Sequence, residues 1–401
     1  MNAYNANTLR NRAMLTQTDR WHRVALLNDA QREAIRAAYP SDFRETNFIT
    51  EVGLFVFTLI VGGGGFLLIG ELFEPGERIG WFLLIYGISA IGTAEWLIHQ
   101  HRYYRNGIDN ALVIMGVLFV LYGLFSEFWP NSTFWQRCVL AGVVLGIAVV
   151  RYGDPLLMIG LLAVLYGLVF ERLLSTPAGQ NAWPFVGMGL SAGLYWLGRV
   201  LQAQPKPSAT HRPSVSGQSR DTLQIYYADV LTHLEWFTLI AFLVCGNYFV
   251  AQGAETFVLF DLPKVGDTNP LVHRLFWFTT FGIPLLYGFF GLRNQNRTLL
   301  ILACFGMAGA VQTVHHYAAL LPQSLHWAAT GAVLVLVSGV LIRWLRTPKN
   351  GFTDAPDDAR PDWMPVAETL TVNQIANAQA QPPDLRFGEG STGGGGAEGR
   401  Y

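Results

Sequence analysis

Ionisable residues inside apolar stretches are where chemistry is to be sought. A charge at the centre of a bilayer costs at least roughly 2.5–3.5 kcal/mol, so each one needs a reason. Glu95 and His99 stand four residues apart and share a helical face with Gly92. A carboxylate and an imidazole at that spacing can relay a proton or hold a cation. An ion pair at the headgroup level explains the spacing equally well, since His99 opens the polar run His99-Gln-His101-Arg102. Further on, Gly306, Gly309, Gln312, Thr313 and His316 fall on one side of a helix. His315 and His316 lie toward the same end as His326, and three histidines can ligate a metal or a haem. Polar packing between helices uses the same residue types, so the metal question stays open.

Glu51 and Glu235 each stand at the start of an apolar stretch. Either can line a transport path, and a helix N-terminus also favours a carboxylate. Gly62, Gly63, Gly64 and Gly65 are consecutive in the middle of the first apolar stretch. Each weakens a helix by roughly 1 kcal/mol relative to alanine. A break there exposes backbone dipoles at mid-membrane, as in some transporters, whereas close helix packing is the other use of such glycine. No residue is singled out as catalytic and no cofactor is expected. Gly388-Glu-Gly390-Ser-Thr-Gly393 matches the dinucleotide fingerprint, but it follows no strand and opens no helix.

The elements that must position these residues are membrane helices. Apolar residues make up 51% of the 401 and charged residues 14%, against about 25% in a soluble domain. The net charge of −1 points to no nucleic acid. Cys138, Cys245 and Cys304 all sit in apolar runs and are expected to be small packing residues, not a disulfide framework. A span needs roughly 20 apolar residues. On that measure the sequence predicts an all-α polytopic transmembrane bundle of about ten spans. They fall near 48–70, 80–99, 110–128, 137–151, 155–171, 183–202, 233–252, 273–291, 298–317 and 325–344.

Loop charge sets the orientation. With both termini inside, 22 of the 27 Lys and Arg lie on the inner side and only Arg78, Arg137, Arg172, Lys264 and Arg274 lie outside. Ten of the 12 tryptophans fall near expected helix ends, the distribution of an interfacial aromatic belt. The divisions are an N-terminal cytoplasmic helical segment (1–47), six spans (48–202), a cytoplasmic Pro/Ser/Gln-rich linker (203–232), four spans (233–344) and a disordered Gly/Pro/Ala/Gln-rich tail (345–401). Within the first segment, Asn28-Asp-Ala-Gln31 can cap a short helix that stops near Pro40. Residues 111–128 and 155–172 agree at nine of 18 positions, including Gly116/Gly160, Tyr122/Tyr166, Gly123/Gly167 and Glu127/Glu171. Two like-oriented spans with that identity predict a duplicated helix pair.

The run LLNDAQREAIRAAYP (26–40) leading into the glycine-rich NFITEVGLFVFTLIVGGGGFLLIGELF (47–73) resembles a group of bacterial multi-spanning membrane proteins. They too set a short cytoplasmic helical segment before eight or more spans. That group has no established activity, so the resemblance implies layout and a bacterial membrane but no site residues. The expected function is that of a membrane protein without catalysis, acting as a scaffold, an assembly factor or an envelope sensor. Its partners are then the lipid bilayer and proteins met through the N-terminal segment and the tail. A transporter or channel for an ion or small solute is the alternative, and a membrane-embedded redox or hydrolytic enzyme the third. The orientation is testable by reporter insertion. Alkaline phosphatase is expected to be active at positions 131 and 175, and green fluorescent protein to fluoresce at 104 and 208. The reverse pattern would invert the topology.

Overall fold

The computed structural model describes residues 3–4, 6–23, 26–41, 43, 46–74, 76–202, 215–252, 270–318 and 322–345. The tail from 346, linker positions 203–214 and the side chain of His326 lie outside the described residues. Among the described residues every long element is an α-helix and there is no strand. In chain order they are α1 (Ala6–Arg23), α2 (Asp29–Ala38), α3 (Phe48–Phe73), α4 (Ile79–His101), α5 (Ile108–Glu127), α6 (Phe134–Tyr152) and α7 (Pro155–Leu174). Then follow α8 (Pro177–Gln202), α9 (Val215–Cys245), α10 (Tyr248–Ala251), α11 (Pro270–Arg293), α12 (Arg297–Ala318) and α13 (Gln323–Leu345).

Eight of the described helices are long and apolar enough to cross a membrane: α3 to α7, α9, α11 and α12. The sixth and tenth expected spans are helices as well, α8 and α13, but fall short of that measure. Pro184, Ser191, Tyr195 and Arg199 dilute α8, and among the described residues of α13 only the shorter stretch Thr330–Val340 is counted as apolar.

Local chemistry explains the helix starts. Asn28 and Gln31 form a reciprocal capping box at α2, with Gln31 N–H donating to Asn28 Oδ1 at 2.7 Å and Asn28 N–H to Gln31 Oε1 at 3.0 Å. Asp154 caps α7 by accepting from Leu156 and Leu157, and Pro155 occupies the first turn, where its missing N–H costs nothing. Gly153, at φ 61°, ends α6 in the left-handed conformation that glycine adopts without penalty.

Packing follows glycine. Gly80 and Gly87 of α4 face Gly123 and Gly116 of α5, so the two backbones touch. A β-carbon added to Gly116 would lie 2.8 Å from the Gly87 carbonyl oxygen, and one on Gly123 2.8 Å from that of Gly80. Such approach is the usual adhesive between membrane helices, where lipid removes the hydrophobic drive. The repeat-related Gly160 and Gly167 of α7 look instead onto Leu145 and Phe134 of α6, at an ordinary 3.8 Å. The repeated helices thus keep their glycines while the helices they meet differ. Their tyrosines have diverged too: Tyr166 is buried against Ser191 and Tyr122 is exposed.

Helix α9 begins at Val215, well ahead of the expected span start at 233, and enters several cores in turn. Tyr226 and Val230 pack with α4 to α7, Leu231 and Leu234 with Leu162 of α7, Leu239 with α11 and α12, and Cys245 with Trp183 and Phe276. Placing a leucine at Gly116 should force α4 and α5 apart and cost about 1–3 kcal/mol or more in detergent melts. Alanine at Gly63 or Gly64, where nothing lies within 4 Å of the added carbon, should instead gain about 0.5–1 kcal/mol. Equal tolerance of Gly116→Leu and Gly63→Ala would dispose of the seam.

Candidate functional site

The last carbonyls of a helix have no partner within it, and near a membrane they must find one elsewhere. Helix α6 meets this need with donors from three other segments. Val150 accepts from the Tyr227 hydroxyl at 2.6 Å, and Gly153 from Arg105 Nη2 at 2.7 Å. Arg151 accepts from the Ala3 N–H at 2.9 Å and also from the Tyr226 hydroxyl. The donors come from α9, from the α4–α5 loop and from the start of the chain, so one helix end ties all three together.

Asp109 organises the α4–α5 loop beside it. Its side chain is almost wholly buried and accepts from Arg105 N–H at 3.0 Å, Asn106 N–H at 2.9 Å and the Tyr4 hydroxyl at 3.2 Å. This clamp holds a loop in which Arg102 and Arg105 both have positive φ, 53° and 47°, a conformation that costs a non-glycine residue about 1–2 kcal/mol. Arg105 also pairs with Asp229 of α9. Gly107, at φ 87°, lies against the first turn of α3, where a β-carbon would strike the Glu51 carbonyl oxygen. Phe43 stacks on Tyr104 with ring centres 4.8 Å apart, and Tyr4 meets Tyr104 edge-on at 4.9 Å. Burial, reinforced by the neighbouring Asp109 carboxylate, pushes the Tyr4 phenol well above its ordinary value, so it remains a donor.

The sequence-expected residues fall around this cluster and away from it. Glu95 and His99 do come together, at 3.3 Å. The closer partners of Glu95 are Arg151, through Nε at 2.6 Å and Nη2 at 2.9 Å, and the Tyr152 hydroxyl at 2.7 Å. A carboxylate gripped by a two-pronged guanidinium is held in geometry as well as charge. Glu51 sits in the first turn of α3 against the same loop. Helix α3 runs unbroken through Gly62, Gly63, Gly64 and Gly65; Met115 covers Gly62, and the Tyr86 hydroxyl donates to the Gly62 carbonyl at 2.6 Å. Glu235 accepts from Asn296 at 3.3 Å.

The interrupted helix lies elsewhere, at Gly246–Asn247 between α9 and α10. Its freed groups are satisfied by threonines: Tyr248 N–H donates to Thr280 Oγ1 at 2.8 Å, Thr279 to the Gly246 carbonyl at 2.7 Å, and Thr313 to Asn247 Oδ1 at 3.2 Å. His316 packs edge-on against Phe249 and Tyr317. Gln312 and His315 stand on α12 beside Thr313, and the Gln312 side-chain Oε1 is buried without a hydrogen bond. Among the described residues no three His, Cys, Asp or Glu side chains are grouped as a metal would need.

Asp109, Arg105, Asp229, Tyr4, Tyr226 and the Arg151–Glu95 pair escaped sequence reasoning, because their partners lie far off in the chain. A signal existed: Asp109 follows a loop with two arginines and a glycine, and Arg151-Tyr-Gly-Asp154 joins two spans. Eight membrane-length helices and a polar cluster that ties their ends define the class, an all-α multi-pass membrane protein. No protein-family model matches the chain, and comparison with curated proteins and with solved structures gives no match either.

The cluster yields a pH prediction at Asp154, which is buried with one oxygen unpartnered. Burial pushes its carboxyl above the ordinary value, against the lowering effect of its backbone bonds and Arg105. The folded state therefore keeps a proton that the unfolded chain loses near pH 4, and stability falls as pH rises through that interval. Asp154→Asn keeps a capping oxygen and should melt higher than the parent at pH 7, an advantage that vanishes on acidification. Asp154→Ala loses the cap and should cost about 0.5–2 kcal/mol.

Proposed function

We propose that this is a non-catalytic scaffold or sensor of a bacterial cytoplasmic membrane, with ten spans, both termini inside, and its N-terminal helices as the contact point for other proteins. The polar, Gly/Pro-rich tail from 345 provides a second contact. The observation that carries the reading is the seating of Ala3 and Tyr4 on the end of α6. Through them, whatever binds α1 or α2 acts on Arg151, Tyr226 and Asp109, and so on α4 to α7 and α9 together. The helices α1 and α2 are joined by Asp19, which pairs with Arg32 at 2.8 Å and Arg36 at 3.2 Å, so they move as one lever.

Other features support a structural duty over transport. Glu95 is committed to Arg151 and Tyr152. The α9–α10 interruption has its backbone groups bonded by threonines. An exchange site needs a group whose partner can leave; a fully bonded network resists exchange.

Hydrogen exchange on the full chain tests the coupling. Tyr4→Ala should raise exchange in α1 by roughly tenfold and also loosen the amides of loop 102–107, because both rest on the same contact. Reconstituted full-length protein should carry no more proton, sodium or potassium flux than empty vesicles. Flux that disappears in Glu95→Gln, with exchange at α1 indifferent to Tyr4→Ala, would overturn the reading in favour of transport.

A further inference from the structure

At the opposite end of the bundle from Tyr4, a groove of about 270 Å³ opens beside the first turns of α6. Its polarity changes along the helix. Ser132, Gln136 and Arg137 line the upper end, flanked by Trp129 and Trp135. Phe125, Leu140 and Val143 line the lower end, with Val143 about 9 Å further along the axis than Arg137 at ~1.5 Å per residue. Tryptophan is at home at the headgroup level, and the apolar residues below it sit at acyl depth. Arg172 lies over the Trp135 ring at 4.6 Å and steadies that wall.

Arg137 is the unusual member. Its Nε donates to Ser132 Oγ at 3.0 Å and its Nη2 to the Pro130 carbonyl at 3.2 Å, which fixes the guanidinium over the groove. Both acceptors are neutral, and no carboxylate among the described residues pairs with it. It also stands in the first turn of α6, where the backbone dipole is already positive and a cation is disfavoured. A fixed guanidinium at a positive helix end, above an apolar slot and between two indoles, complements one kind of ligand: an anion joined to a hydrocarbon chain.

We propose that this groove is a phospholipid-binding site in which Arg137 receives the phosphodiester and Phe125, Leu140 and Val143 receive the upper part of one acyl chain. The site is independent of the N-terminal cluster and of the function proposed from it.

Native mass spectrometry of the delipidated full-length chain tests this, with phosphatidylglycerol, diacylglycerol of the same chains and glycerol phosphate as separate probes. One phosphatidylglycerol should be retained, and diacylglycerol or glycerol phosphate should bind at least about tenfold more weakly, since each lacks half of the match. Arg137→Ala should weaken retention by about tenfold or more, Val143→Trp should block it, and Arg78→Ala, outside the groove, should leave it unchanged. Retention that is indifferent to Arg137→Ala, or equal for diacylglycerol or for glycerol phosphate, would overturn the site. A dimer that Val143→Trp dissolves would show the groove to be a protein interface, and would overturn it as well.

Discussion

Three carbonyls at and just past the end of α6 take donors from outside the helix, and much of the bundle is arranged to supply them. Val150, Arg151 and Gly153 receive hydroxyl, guanidinium and backbone N–H groups from α9, the α4–α5 loop and the chain start. In water these groups would bond to solvent, and the contacts would be worth little. At a helix end packed among other helices the alternative is an unpaired carbonyl, which costs several times more. The constraint therefore works as a specification of topology. Here α9 and the loop at 102–107 are placed so that all the donors come within reach.

Strain and packing follow from it. Two arginines adopt left-handed backbone in a short loop, and Asp109 holds the second of them, Arg105, by its N–H while also accepting from Asn106 and Tyr4. Gly107 lets that loop touch the first turn of α3. The same Arg151 whose carbonyl anchors the chain start reaches Glu95 with its guanidinium, so α4 is bound to α6 at this end. Further along α4, the Gly80 and Gly87 contacts with α5 do the holding. Polar bonding at one end and glycine packing along the length are complementary, because neither draws on the hydrophobic effect that lipid removes.

The bundle's opposite end is closed by different means. There α9 stops at Gly246, where Thr279 and Thr280 bond the exposed backbone and Thr313 bonds the Asn247 side-chain oxygen, while Tyr248 stacks on Trp277 with ring centres 4.8 Å apart. A break in a membrane helix is tolerable only where neighbours take up its backbone groups. Two threonines of α11 do so here. The glycine run in α3 leaves no backbone group freed, since its helix is continuous, and the Tyr86 hydroxyl adds one bond to the Gly62 carbonyl.

Much of the secondary structure could be read from the residues themselves. Apolar runs of span length gave the helices, and Asn28 with Gln31 gave the start of one of them. These are local or periodic features, and free energies of helix formation in lipid depend on little else. What only the tertiary structure decided was partnership. Glu95 looked like a partner for His99 four residues on, yet Arg151, fifty-six positions away, grips it more closely. Four consecutive glycines allowed either a break or close packing, and the helix runs through them, while an interruption stands at Gly246–Asn247, where threonines stand ready on α11 and α12. The physical reason is the same in both cases. A sequence displays the groups that need hydrogen bonds, but which group satisfies which is settled by helices meeting in three dimensions.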